Sequence, residues 1–469
     1  MILQNISLKI LQVLFYFFPI TFIFGNFMTN IFILLISIIG MIYYKTQLFE
    51  NNEKLLTILF LIFFSIVLIT SYTNHFFLKE NPDVYKSILY LRYFLFLIII
   101  KTLVFKQDVN INKFLIFSLL IIFFVSIDIL IQFVFGKNIL GFEPIKVDIF
   151  SIYYTGFFKE ELIAGGFIMM FSTLSFFSIP LLFQNQSKIS LFTIFTFISS
   201  IILAALLLAG NRMPTILFIF FLISSVFLYK NKRKKIYLIF TTLISLILII
   251  LITIKFENIK LRYLGFYAGL PNPFTILKEV KKKYPELKKY KNTGTLFYEI
   301  EEYGIKKKLS EKLPLEYEIL PFHTGHRIIY ITSIDLFLEK PLIGRGIKSF
   351  RNYCKEKIHK PNRVCENHPH NFFLDLLNDI GLIGIIILLI PVVRLFFSNY
   401  FDYLSNNKDK QFSDWVYLSI CMAILIQFFP FKSSGSFFST YNSAFIFLIL
   451  GISLGIHQVK IGINQQRDY

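Results

Sequence analysis

The chain has 469 residues, of which 55% are hydrophobic and only 16% charged, and 48 Lys and Arg against 29 Asp and Glu give a formal net charge of +19. A soluble protein carries about a quarter charged residues, so this composition excludes an ordinary soluble fold. The surplus of lysine is read as span-flanking charge that faces anionic headgroups, rather than as a nucleic-acid surface.

The apolar residues fall in long blocks, and a span needs about 20 of them to cross the hydrocarbon. Blocks are placed near 6–24, 28–44, 55–72, 88–105, 112–135, 161–183, 190–209, 213–229, 236–254, 371–397, 415–430 and 440–457. Lipid offers the backbone no hydrogen-bond partner, so a spanning segment is a helix or part of a closed barrel. A barrel would show strict alternation over about 10 residues. The run Ile236–Ile254 stays apolar without alternating, which selects helices. The first apolar stretch, 10–24, is read as a retained span and not as a cleaved leader. The expected fold is all-α: a polytopic transmembrane bundle of about 12 spans with a large helical extracytoplasmic loop.

Charge in the short loops orients the bundle. With the N-terminus inside, the cytoplasmic loops and adjoining span ends hold Lys45, Lys54, Lys101, Lys106, Lys113, Lys188, the cluster Lys230–Lys235, Arg394, Lys408 and Lys410, and the tail holds Lys460 and Arg467. The opposite loops are less basic and hold Glu80, Asp83, Glu143, Asp148 and Glu160. The division that follows is an N-terminal bundle over 1–254 with about nine spans, an outer loop domain over 255–370, and a C-terminal bundle over 371–469 with about three. Within the loop, Leu277–Tyr290 and Leu296–Leu313 read as amphipathic helices whose lysines form a solvated face or meet an anion.

The residues that can carry chemistry collect at the outer ends of spans. His368 and His370 stand where the long loop re-enters the membrane. Histidine ionises nearest neutrality and suits general base work. Gly381 and Gly384, early in the following span, allow another helix to approach closely. Arg212 lies in the short turn Gly210–Pro214 between two apolar helices, on the side where basic residues are sparse. Arg92 and Arg327 fall on the same side. A guanidinium is permanently charged and grips two phosphate oxygens at once. Asp128 sits inside a span, where it pairs with a polar neighbour or lines a cavity. Cys354 and Cys365 lie in the outer loop, where an oxidising compartment favours a disulfide. The competing reading is a zinc site built from both cysteines with His368 and His370. Cys421 reads as a small packing residue, and His323, His326 and His359 as ordinary loop histidines. Gly344-Arg345-Gly346 lacks the context of a nucleotide loop, and the role of Arg345 stays open.

The stretch His368-Pro369-His370-Asn371 through Leu374, Leu376, Leu377, Gly381 and Gly384 resembles the signature of the O-antigen ligase and polymerase family. That signature is a His-Asn pair followed by leucines at helical spacing and a Gly-x-x-Gly, after a large periplasmic loop. Upstream, Arg327 through Phe337 and Pro341-Leu342-Ile343-Gly344-Arg345-Gly346 with Phe350 are similar to the arginine-led helix and turn that precede the histidine in that family. The Gly210–Pro214 turn is similar to its arginine turn, and Gly156-Phe157-Phe158 to a Gly-x-Phe segment of the polymerase-like branch.

The resemblance implies a membrane glycosyltransferase in the bacterial inner membrane with its site facing the periplasm. It would move an oligo- or polysaccharide from undecaprenyl pyrophosphate to an acceptor hydroxyl on lipid A core or another glycan. His370, Arg212 and Arg327 are the implied catalytic residues; Arg92, Glu161, His368 and Asn371 the implied substrate contacts. No metal and no cofactor is expected, since arginines can neutralise the leaving diphosphate. The alternative reading is a flippase for lipid-linked oligosaccharide or another polysaccharide transporter. Transporters of this size often carry inverted repeats and bind near the midplane, whereas here the charged candidates gather on one face.

Overall fold

The computed structural model describes residues 2–50, 54–78, 82–146, 152–183, 186–256, 259–260, 263, 301–302, 305–306, 325–357, 365–405 and 411–467. In chain order the helices are α1 (Ile2–Thr21), α2 (Asn26–Tyr44), α3 (Lys54–Phe76), α4 (Val84–Tyr90), α5 (Arg92–Phe105), α6 (Ile111–Phe135), α7 (Ala164–Ser175), α8 (Ile179–Leu182), α9 (Lys188–Ala209), α10 (Arg212–Leu228) and α11 (Lys232–Lys255). After the long connection that follows α11 come α12 (Gly325–Glu339), α13 (Ser349–Lys357), α14 (Phe372–Leu404), α15 (Asp414–Gln427) and α16 (Thr440–Arg467). Nine described helices are long and apolar enough to cross a membrane, and the apolar α10 and α15 are shorter. Each of the expected apolar blocks coincides with a helix.

The bundle is packed through phenylalanine. Phe63, Phe64, Tyr90 and Tyr93 surround Phe447 of α16 with ring centroids 5.0–6.4 Å away, and Phe22 of α1 meets Phe171 and Tyr441 at 5.1 and 5.2 Å. Small residues let backbones close up where rings do not. A Cβ on Gly451 or Gly455 of α16 would stand 2.9 Å from Ile100 or 2.6 Å from Val104 of α5, the close approach that membrane helices use instead of a hydrophobic drive.

The two ends of the bundle differ. At one end Tyr44 donates to Asp108 at 2.5 Å, Lys106 pairs with Glu50, Lys230 with Asp414 and Lys460 with Asp402. The other end holds the starts of α4, α7, α10, α14 and α16. The few described residues of the connection between α11 and α12 depart from the expected helix over Leu296–Leu313. Glu301–Glu302 and Ile305–Lys306 form an antiparallel pair, with Glu301 opposite Lys306. Gly304 inside that stretch weakens a helix by about 1 kcal/mol relative to alanine, and local pairing wins. The expected helix Leu277–Tyr290 and residues His323 and His359 lie outside the described residues.

Candidate functional site

The helix that carries the His-Asn pair is broken one third of the way along. Gly381 of α14 has φ 66 and ψ −172, a region open essentially to glycine alone. Such a break leaves buried N–H and C=O groups without helical partners, and the turn 341–346 supplies them. Leu382 and Ile383 donate to the carbonyls of Pro341 and Leu342 at 2.8 and 3.1 Å, while Arg345 and Gly346 donate to Asn378 and Asp379 at 2.8 Å each. A Cβ on Gly381 would stand 2.3 Å from the Leu342 carbonyl oxygen. Gly381 therefore admits a turn, not the neighbouring helix expected from sequence. Asp379 completes the joint by accepting from the Lys348 and Ser349 amides and the Ser349 hydroxyl at 2.6–3.2 Å. Arg345 is 2% exposed, pairs with Glu339 at 2.6 Å and stacks on Tyr353 at 3.6 Å, so its role is to pin α12 to α13. A disulfide joins Cys354 to Cys365, Cα atoms 5.7 Å apart, and ties α13 to the strand leading into His368. That bond commits both sulfurs of the alternative zinc set.

His370 sits at the start of α14 with φ 56, an uncommon conformation for a residue with a Cβ. Its carbonyl accepts from the Ser434 amide at 2.9 Å and from the Tyr330 hydroxyl at 3.5 Å. The His368 ring lies 4.2 Å from its own, centroid to centroid. Burial, and secondarily the His368 ring, push the His370 imidazole down to about 4, so the ring is neutral at neutral pH. Asn371 serves as the helix cap: its Oδ1 accepts from the Phe373 and Leu374 amides at 2.9 and 3.1 Å, and its Nδ2 donates to the Pro430 and Lys432 carbonyls at 2.7 and 3.4 Å. Both ends of that amide are spent on the backbone. In this arrangement Asn371 caps α14 and holds the backbone next to His370.

The connection between α15 and α16 gathers the remaining candidates. Residue 371 bridges to Ser433 in antiparallel fashion. Farther along, Ser436 and the Phe437 amide donate to Asp375 at 2.7 and 2.8 Å. At its end Thr440 accepts from Asn30, whose amide oxygen takes Arg92 at 3.0 Å. Arg92 also reaches the Leu89 carbonyl and the Tyr93 ring and hydroxyl. It is engaged by protein groups on several sides. Tyr441 lies within electrostatic reach of Glu161, and its hydroxyl is 3.9 Å from the position of a Cβ on Gly166. Glu161 is exposed.

Arg212 opens α10 beside this group. The preceding residue, Asn211, donates to the Leu162 carbonyl at 3.1 Å, and a Cβ on Gly165 would fall 2.9 Å from its Oδ1. The arginine turn is thus clamped onto the start of α7, next to Glu161. Among the described residues the Arg212 guanidinium has no hydrogen bond or ion pair, in contrast to Arg92. Arg327 lies in the first turn of α12; its side chain lies outside the described residues, as does that of His326. Tyr330, one turn on, is the residue that touches His370. Asp128 is structural: it accepts from Asn138 and the Ile139 amide at 3.1 and 3.0 Å, and a Cβ on Gly156 would stand 2.7 Å from it. The Gly156–Phe158 segment owes its glycine to that contact.

Sequence reasoning passed over Lys432, Asp375 and Asp379. Lys432 is 4% exposed; its ammonium donates to Gln427 at 2.7 Å and lies 4.6 Å from the Phe372 ring. Burial brings it down to about 7. The two aspartates carried a usable signal, since acidic residues inside an apolar span are functional by default. Lys432 carried none, because span-flanking lysines are ordinary.

No curated protein matches the chain. Residues 197–389 match the family model described as O-antigen ligase (Wzy_C). That segment holds the Arg212 turn, the 341–346 turn, both outer cysteines, His370 and the broken α14; Arg92 and Glu161 lie before it. Over residues 197–389 the chain is similar to the O-antigen ligase family, which supports the resemblance read from the His-Asn and Gly-x-x-Gly stretch.

Proposed function

We propose that the protein is a twelve-span membrane glycosyltransferase that moves an oligo- or polysaccharide from undecaprenyl pyrophosphate to an acceptor hydroxyl. What supports this reading is the Arg212 guanidinium, which has no hydrogen bond or ion pair among the described residues, together with a His370 that is held at φ 56 and kept neutral by burial. In the proposed reaction the donor diphosphate rests against Arg212, with Arg327 of α12 as a second cation. His370 takes the proton of the acceptor hydroxyl. The acceptor oxygen bonds to the anomeric carbon as the bond from that carbon to the phosphate oxygen breaks. The lipid diphosphate leaves with the bonding electrons, and the arginines stabilise its growing charge. An arriving diphosphate raises the affinity of the nearby imidazole for a proton, so the base strengthens when substrate is bound. In this reading Glu161 and His368 contact sugar hydroxyls, and Arg92 supports the rim. The site faces the periplasm by the loop-charge argument.

The test is complementation of bacterial strains that lack a ligase or a polymerase, with glycan length and attachment read on a gel. His370→Ala and Arg212→Ala each abolish transfer while the protein still inserts. Wild-type transfer by both variants sinks the assignment.

A further inference from the structure

A second cationic group lies where the start of α4 meets the start of α13. The Asp83 amide donates to the Ile347 carbonyl at 3.1 Å, which fixes the start of α4 against the start of α13. Three cations meet over this joint. Lys86 and Arg351 share the carboxylate of Asp83 at 3.0 and 3.8 Å. Lys348 has no carboxylate within salt-bridge distance among the described residues, and it lies within electrostatic reach of Lys86 and Arg351. Lys348 is also held at φ 58, a backbone conformation that a lysine adopts at a cost. Burial first, and then Lys86 and Arg351, lower the affinity of Lys348 for its proton, and the attraction of Asp375 is smaller than the repulsion of either cation. Asp375 and Asp379, the buried carboxylates behind the joint, are occupied by hydroxyl and amide donors. Three like charges grouped around one carboxylate among the described residues are unfavourable unless an anion completes the group.

We infer that Lys86, Lys348 and Arg351 form a phosphoryl-anion subsite, separate from the Arg212 turn. Its chemistry is that of a lipid-borne or soluble phosphate ester. Tyr85, Ile88 and Leu89 on the same helix are 70%, 52% and 41% exposed. This sets the cations at the rim of an apolar surface, where a phosphorylated lipid would present its headgroup. The inference deepens the glycosyl-transfer reading by giving the site a second anionic partner, and it is tested without reference to transfer.

The test uses the full-length protein carrying Arg212→Ala, in nanodiscs of phosphatidylcholine, with inorganic pyrophosphate as the probe and thermal stabilisation as the readout. Saturable stabilisation persists in this background. Adding Lys348→Gln or Lys86→Gln weakens the midpoint about ten-fold or more, as loss of a charge-assisted contact requires. In the absence of pyrophosphate Lys348→Gln melts at or above its parent, because a cation within electrostatic reach of Lys86 has been removed. Midpoints unchanged by both lysine variants, or a marked loss of basal stability in Lys348→Gln, overturn the subsite. Nanodiscs that include phosphatidylglycerol distinguish the sources. Competition with pyrophosphate that depends on Lys348 identifies a lipid headgroup, and pyrophosphate binding without competition identifies a soluble phosphoryl group. Failure of this test leaves the Arg212 and His370 assignment standing, since transfer by those variants is measured separately.

Discussion

Replacing Gly381 with alanine places a methyl group where the turn 341–346 now lies. Its Cβ would meet three backbone atoms, the Leu342 carbonyl oxygen and carbon at 2.3 and 2.4 Å and the Ile343 nitrogen at 2.6 Å. None of these is the end of a flexible side chain, so the turn must retreat or the helix must rotate. The φ and ψ of this residue alone cost an alanine about 1–3 kcal/mol. Retreat of the turn also breaks the four backbone bonds that join 341–346 to 378–383, each worth about 1 kcal/mol net. The expected total is roughly 5–7 kcal/mol of local stability. Gly136→Ala is the control. Gly136 caps α6 with φ 75, but a Cβ there meets nothing within 4 Å, so its cost is limited to about 1–2 kcal/mol of left-handed strain. Thermal unfolding of the solubilised protein should show a far larger drop in midpoint for Gly381→Ala than for Gly136→Ala, with transfer lost only in the former. Equal midpoints for the two variants would refute the claim that this turn fills the helix break.

Further outcomes follow from the same geometry. If His370 is the base, the acid limb of kcat/KM lies near pH 4 and not near the ordinary histidine value of about 6.5. The folded-state value of about 4 is depressed, so the unfolded chain binds more protons between about pH 4 and 6.5. Stability therefore falls as pH drops through that window, and His370→Asn should remove this part of the slope. Asn371→Ala loses a helix cap and two ties to 430–432, about 2 kcal/mol; calorimetric or fluorescence melting reads the loss, and unchanged stability would contradict the capping role. Cys354→Ser and Cys365→Ser each open a loop with a sequence separation of 11, a loss of about 3 kcal/mol by chain entropy. A membrane-impermeant thiol reagent should label the pair from outside only after reduction, and labelling confined to the cytoplasmic side would reverse the orientation.

The helical blocks were legible in the sequence because hydropathy is a local, additive property: about twenty consecutive apolar residues demand a helix wherever they pack. His370, Arg212 and the outer cysteines stood out for a related reason, since polar groups at span ends are few and their side follows from loop charge. Tertiary structure alone decided what each of these groups does. Arg92 and Arg212 look alike in sequence, yet Asn30 and Tyr93 engage one while no side chain among the described residues engages the other. Asn371 proved to be a cap because Pro430 and Lys432, some sixty residues away, supply its acceptors. Gly381 received a turn, not a helix, because a break in α14 exposes backbone groups that 341–346 satisfies. The meeting of Lys86, Asp83 and Arg351 likewise joins two segments that share no local pattern. Contacts between distant segments leave no period in the chain, and in this protein those contacts separate the residues that hold the site together from the residues left available to a substrate.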